Sequence, residues 1–449
     1  MSHYFGTDGF RGEAGAALTA QHAYRIGRFL GHYYQKEGRR ARVAVGKDTR
    51  RSSYMLEYAL AAGLVASGAD AYMLHVTTTP SVSFITRSDD MDCGVMISAS
   101  HNPYSDNGIK LVNRLGEKME DDVLRDIEDY LDRPDRKDFA IRCATGEDIG
   151  RILDYSEGRN RYIAYLISLA KHSYRDFRIG LDCANGSAWR IAESVFCALG
   201  ARVTTIGCEP DGLNINREVG STHMERLVAL VKNNHLDAGF AFDGDADRCL
   251  CVDENGTVLT GDHILFALSD EWRRRGLLTG NTVVTTIMSN MGLYRALEEQ
   301  GVEHVETAVG DKYVYDAMNK GGFSIGGEAS GHVILRPYAQ TGDGILTAIQ
   351  LMEVMVGRKL PLSRLSHHLH LFPQRQYNLR VASKAAVMES PAVQSALAAA
   401  KATLGERGRV VLRESGTEPV IRLMVEADDE ALCESTAAAL RDAIRKTGL

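Results

Sequence analysis

A chain of several α/β domains, closed by a smaller α+β unit, is predicted from three observations. Its 449 residues are about three times the ~150 of a typical domain. Strand and helix signals alternate as far as residue 325, which argues for layered α/β structure around largely parallel sheets. Beyond residue 370 the order becomes strand–helix–strand–strand–helix.

The first cycle begins with a helix, since Ala23, Ile26, Phe29, Leu30 and Tyr33 recur at helical spacing behind Thr19 as N-cap. Residues 42–45 read as a strand, 54–67 as a helix, 71–76 as a strand and 93–98 as a buried strand. A second cycle has strands at 177–183, 202–206 and 237–242, with helices at 188–199 and 223–234. In the third, helices at 263–276, 290–300 and 312–319 alternate with strands at 282–287, 303–308 and 323–325. The last unit reads as strand 377–381, one Ala-rich helix 385–403, strands 409–412 and 420–426, and helix 428–446. Boundaries near 153, 255 and 370 divide the chain into 1–153, 154–255, 256–370 and 371–449.

Composition excludes several function classes. The net charge of −7 disfavours non-specific binding to nucleic acid or an anionic membrane, which needs a dominant basic face. No run approaches the ~20 apolar residues of a membrane span, and the N-terminus predicts no secretory signal. The eight cysteines form no CxxC pair and read as reduced thiols of a cytoplasmic protein.

Four loops carry the chemistry. Asp243, Asp245 and Asp247 alternate in DGDADR, a spacing suited to a hard divalent cation with oxygen ligands. A calcium EF-hand is the rival, but its sixth position holds Arg248 rather than glycine, and the flanks read as strands. So few carboxylates on so short a loop favour Mg²⁺, with a solvated acidic turn as the bland alternative. In SASHNP, Ser100 lies just past a buried strand, where α/β folds bind ligands. It can be a phosphoryl carrier or part of a simple turn. In GGEASGH, Glu328, Ser330 and His332 offer hydrogen bonds suited to sugar hydroxyls, as would any polar turn. In RESGTEP, Arg413 and the later Arg422 bracket Ser415, Gly416 and Thr417, a credible phosphate cradle or a hairpin with surface arginines. Arg11, Lys110 and Lys312 are minor candidates, since a lone basic residue is ordinarily solvated. The histidines of HHLH at 367–370 read as surface residues, and TTTP at 77–80 as structural.

Together these motifs resemble the α-D-phosphohexomutase superfamily and, within it, the bacterial phosphoglucosamine mutase branch. FGTDGFRG at 5–12, SASHNP at 98–103, DGDADR at 243–248, GGEASGH at 326–332 and RESGTEPVIRLMVE at 413–426 occur in the superfamily's order, over the whole chain. The resemblance implies four domains around a central cleft: three α/β domains of shared topology and a C-terminal α+β domain. It implies a phosphoserine enzyme that interconverts glucosamine 6-phosphate and glucosamine 1-phosphate through a 1,6-bisphosphate. By motif, Ser100 carries the phosphoryl group and joins Asp243, Asp245 and Asp247 around one Mg²⁺ per chain. Glu328 and Ser330 bind sugar hydroxyls, and Arg413, Ser415, Gly416, Thr417 and Arg422 hold the non-reacting phosphate. Arg11, His101, Lys110, Arg248, Lys312 and His332 line the reacting end, with Lys110 the candidate general base. A small-molecule hexosamine phosphate is thus the expected partner; no motif specifies an oligomeric state. Ala329 stands where phosphoglucosamine mutases commonly carry Gln, and Glu414 where Lys is common. That keeps a phosphomannomutase/phosphoglucomutase as the alternative. A metal-dependent phosphatase is disfavoured, because a hydrolase has no use for a second phosphate loop.

Overall fold

The computed structural model describes residues 4–36, 38–134, 141–414 and 420–447. Residues 1–286 and 303–367 form one compact unit, and 287–302 with 368–449 another.

Three sheets of the first unit repeat one topology. In each, a first strand is flanked on one side by the second and on the other by the third, all parallel, and a fourth strand returns antiparallel beside the third. The four are Arg42–Lys47, Asp70–Val76, Cys93–Ile97 and Asp106–Asn113 in the first sheet. They are Arg178–Asp182, Arg202–Ile206, Ala238–Phe242 and Cys249–Asp253 in the second. In the third they are Thr282–Thr286, Glu303–Thr307, Ile325–Gly327 and Val333–Leu335. Sheet one adds Phe5–Gly6 and Gly9–Glu13 beyond its antiparallel edge and Ile152–Asp154 at the other. The expected parallel core is present, and each sheet also carries an antiparallel edge.

Thr19 caps helix Ala20–Tyr33 in a capping box with His22, as its sequence predicts. Helix Gly344–Arg358 escapes the periodicity reading because Ile345, Leu346, Ile349, Leu351, Met352 and Met355 are buried around its whole circumference. A helix without a polar face shows no amphipathic signal.

The second unit pairs Gln374–Arg380, Val420–Ala427 and Gly408–Glu414 as an antiparallel sheet with the long strand central. Leu379, Ile421, Leu423 and Val425 pack with Val393, Leu404, Leu440 and Ile444. The predicted single helix over 385–403 is two, Lys384–Glu389 and Pro391–Leu404. Ser390 is extended between them (φ −60°, ψ 122°), because the proline ring crowds the preceding residue out of the helical region.

Candidate active site

The three loops singled out in the first unit are topological equivalents. SASHNP, DGDADR and EASGH each join the third parallel strand of their sheet to the antiparallel fourth. Each therefore leaves the C-terminal end of a buried strand, where backbone groups are released from the ladder and can face a ligand.

Ser100 is 1 % exposed and sits in left-handed backbone at φ 54°, an unusual conformation for a residue with a side chain. What holds it is Arg50, which is fully buried. Its guanidinium donates to Asp48 Oδ2 at 2.7 Å, Ser100 O at 3.0 Å, Asn102 O at 2.9 Å and Asp106 O at 3.0 Å, and also to Pro103 O. All five guanidinium N–H groups are thereby used. Asn216 Nδ2 adds a bond to Ser100 O at 2.8 Å. The Ser100 hydroxyl donates to Asp243 Oδ2 at 2.6 Å and lies 3.2 Å from His101 Nδ1. Burial, with Arg248 and Arg11 nearby, pushes the His101 imidazole down to about 4, so it is neutral at neutral pH.

The carboxylates of Asp243, Asp245 and Asp247 are buried and offer oxygens within 4.8 Å of one another, a set able to hold a divalent metal. Asp245 Oδ1 is buried without a hydrogen-bond partner, which is how a carboxylate oxygen aimed at a cation looks in a protein-only structure. Burial and the neighbouring charges of Asp247 and Asp245 hold Asp243 well above the usual carboxyl range. Lys110 offsets part of that repulsion. Its Nζ lies 2.7 Å from Asp245 Oδ2, 3.1 Å from Asp247 Oδ2 and 3.2 Å from Asp8 Oδ2. Burial opposes its charge, but these carboxylates hold its pKa well above the usual lysine value. In this contact it is an ammonium without a lone pair to take a proton.

The remaining candidates fall into two groups. Arg248 joins the centre: its N–H donates to Asp243 Oδ1 at 3.2 Å, and its Nε is a buried donor without a partner. Arg11 pairs with Asp8, and its Nη1 reaches Asn102 Oδ1 at 3.4 Å. His332, 3 % exposed, turns Nδ1 toward Asp247 Oδ1 at 3.7 Å and accepts from Gly342 N–H at Nε2, 3.1 Å away. Burial disfavours its charge, but Asp247, Asp311 and Glu328 push it up to about 9. A second proton would have to replace the Gly342 bond with Asp311, 3.6 Å away. Glu328 accepts from Gly310 N–H at 3.1 Å and from the Ser330 hydroxyl at 3.4 Å. Lys312 is placed differently: its Nζ bonds Asp121 at 2.5 Å, lining a cavity of about 310 Å³ with Lys118 and Asp311. Asp311, its neighbour, is the residue of that pair that reaches His332.

In the second unit, Arg413 and Arg422 stand directly opposite on adjacent antiparallel strands. Burial and Arg422 together lower the pKa of Arg413. Like charges facing across a ladder destabilise it unless an anion lies between them. Ser415, Gly416 and Thr417 lie outside the described residues.

Several contributors escape a reading of the sequence alone. Thr79, in the TTTP segment expected to be structural, donates its N–H to Asp245 O at 3.0 Å and its hydroxyl to Asp245 Oδ2 at 2.5 Å. Asp8 bonds Arg11, Lys110 and Lys118. Of these only Asp8 carries a signal, as the aspartate of the Gly-rich turn before Arg11.

Among the described residues no helix is long and apolar enough to cross a membrane. Comparison with known proteins gives matches over nearly the whole chain. Models of phosphoglucomutase/phosphomannomutase match as α/β/α domain I over residues 2–138, domain II over 160–256, domain III over 260–372 and C-terminal domain over 377–443. A phosphoglucosamine mutase of Lachnospira eligens is 56 % identical, over 100 % of this chain and 99 % of that protein. One from Bacillus subtilis is 44 % identical over 99 % of both. Among solved structures, a phosphoglucomutase/phosphomannomutase family protein from Burkholderia thailandensis superposes with a TM-score of 0.82 at 24 % identity, covering 100 % of this chain and 98 % of that one. Aspergillus fumigatus N-acetylphosphoglucosamine mutase, in complex with GlcNAc-6P and magnesium, does so at 0.70 and 18 % identity, covering 100 % and 96 %.

Proposed function

The chain belongs to the phosphoglucomutase/phosphomannomutase family, and from that premise we propose that it is a cytoplasmic phosphoglucosamine mutase. It interconverts glucosamine 6-phosphate and glucosamine 1-phosphate, using a phosphorylated Ser100 and a 1,6-bisphosphate intermediate. The observation that carries this reading is the Ser100 hydroxyl, 2.6 Å from Asp243 within a buried carboxylate triad.

Asp243, Asp245, Asp247 and the Ser100 oxygen would hold one Mg²⁺, which when bound neutralises phosphoryl oxygens. The chain's own residues do the rest. Arg50 and Asn216 fix the Ser100 loop so that its oxygen is positioned for in-line transfer. Arg248, with its unpaired Nε, and Arg11 supply donors to the transferring group. Lys110 supplies counter-charge, while His101 Nδ1 and Asp243 Oδ2 are the acceptors in reach of the Ser100 proton. Glu328 and Ser330 are polar groups for sugar hydroxyls, and His332 completes the reacting end, whereas Lys312 is held by Asp121. The facing Arg413 and Arg422 suit the other phosphate, whichever sugar carbon bears it, as a reaction that turns its bisphosphate around requires.

Ala329 favours a second reading. Its carbonyl accepts from Gly261 N–H at 3.0 Å, and its methyl has no hydrogen bond to give a 2-amino group. Comparing kcat/KM for glucosamine 6-phosphate, glucose 6-phosphate and mannose 6-phosphate with Mg²⁺ and phosphorylated enzyme separates the two. A glucosamine preference on the order of tenfold, ~1.4 kcal/mol, is expected. A flat profile or a neutral-sugar preference would assign a phosphomannomutase/phosphoglucomutase instead.

A further inference from the structure

Cys183 and Cys208 lie behind the metal loop and take no part in the chemistry above. Cys183 comes directly after the first strand of the second sheet, Arg178–Asp182, and Cys208 shortly after its parallel neighbour Arg202–Ile206. Asp182 pairs with Ile206, so Cys183 lies beside Gly207, with Cys208 one residue further. Past the strand ends the two segments stay side by side, with Cys183 N–H donating to Ile206 O at 3.1 Å and Asn185 N–H to Gly207 O at 2.6 Å. Each thiol is the largest influence on the other's pKa, and Cys208 Sγ donates to Ile206 O at 3.5 Å. Cys183 is buried, while Cys208 is partly open to solvent.

The turn over residues 183–187 couples this pair to the active site. Ser187 N–H donates to Gly244 O at 2.8 Å, within the metal loop. Ala184 O accepts from Asn216 N–H at 2.8 Å, and Asn216 in turn holds Ser100 O at 2.8 Å. The turn therefore supports both the phosphoserine loop and the metal loop.

We propose that Cys183 and Cys208 form a peroxide-sensitive dithiol, whose oxidation to a disulfide shifts this turn and stops phosphoryl transfer. Cys208, as thiolate, attacks one oxygen of hydrogen peroxide; the O–O bond breaks, hydroxide leaves and takes up the proton the thiol gave up to become water, and Cys208 becomes a sulfenic acid. The Cys183 sulfur then attacks Cys208; the S–S bond forms, the S–O bond breaks, and the Cys183 proton leaves with the hydroxyl as a second water. The Cys183 contact lowers the Cys208 thiol below its ordinary value, which favours this order. Cys249 and Cys251 also touch, but both are buried on one strand, out of reach of an oxidant.

The test treats the full chain with hydrogen peroxide, alkylates free thiols and maps peptides by mass, with turnover measured in parallel. A Cys183–Cys208 cross-link, loss of most activity and recovery of both with dithiothreitol are expected. Cys208→Ser should give neither cross-link nor inactivation, while a Cys143→Ser/Cys197→Ser double variant should keep both responses. Equal inactivation of Cys208→Ser, or oxidation confined to the exposed Cys143 and Cys197, would overturn the proposal. So would a cross-linked chain that still turns over at the reduced rate. The cross-link is read without substrate, so it stands or falls independently of the mutase reading.

Discussion

Ser100 and Asp243 are 143 residues apart in sequence, and the hydroxyl of one bonds the carboxylate of the other at 2.6 Å. The approach results from repeated topology: each residue sits on the loop after the third parallel strand of its own sheet. Their backbones are close enough that a Cβ on Gly244 would lie 2.4 Å from Ser100 O. A nucleophile and an acidic cluster from separate domains thus share one small volume.

Replacement of the nucleophile is the simplest probe. Ser100→Ala is expected to lose mutase activity to background while its melting temperature stays close to the parent's. Near-normal turnover would reject Ser100 as the phosphoryl carrier.

Gly244→Ala tests the closeness of the loops. The added methyl would meet Ser100 O and force one loop away from the other. A lower kcat with a weaker apparent Mg²⁺ affinity is expected; titration of activity against Mg²⁺ reads both.

Thr79→Val removes the hydroxyl that bonds Asp245 Oδ2. Partners that orient a metal ligand contribute ~10–100-fold to metal affinity. The Mg²⁺ needed for half-maximal activity should rise by roughly that factor, and an unchanged requirement would return TTTP to a purely structural role.

Arg422→Ala should raise KM more than it lowers kcat, by roughly tenfold or more for a lost charge-assisted bond. Steady-state kinetics with glucosamine 6-phosphate distinguishes this from a pure kcat loss, which would mean a transition-state role.

Asp343 caps helix Gly344–Arg358 and accepts from Tyr162 at 2.7 Å. Burial raises its pKa to about 6. The folded state therefore holds this proton more tightly than the unfolded chain, whose value is ~3.9. The stability involved is complete below the unfolded value and is lost as pH rises through about 6. Asp343→Asn, which cannot ionise and still caps, should gain in melting temperature relative to the parent between pH 5 and pH 8.

Chemistry written in contiguous residues was legible in the sequence. Asp243, Asp245 and Asp247 point to a cation by their alternation, and SASHNP, placed after a buried strand, is open to a phosphoryl carrier or a simple turn. Thr79 was not legible, because its significance lies in an Asp245 carboxylate 166 residues away. Arg50 looked like any charged residue ahead of a helix, and only folding encloses its five donors under the Ser100 loop. The equivalence of the three loops was hidden too, since it resides in strand order and not in repeated sequence. Helix Gly344–Arg358 lacked the polar face that periodicity needs, whereas the break before Pro391 had its signal in plain view.

The most direct test of the account is to locate the transferred phosphate. The enzyme would be incubated with glucose 1,6-bisphosphate and Mg²⁺, its phosphopeptides mapped by mass, and the isolated phosphoenzyme then mixed with glucosamine 6-phosphate for a single turnover. Phosphate is expected on Ser100 alone, lost to the sugar at a rate that supports steady-state turnover. Phosphate on another residue, or turnover proceeding while Ser100 never carries it, would rule out Ser100 as the phosphoryl carrier.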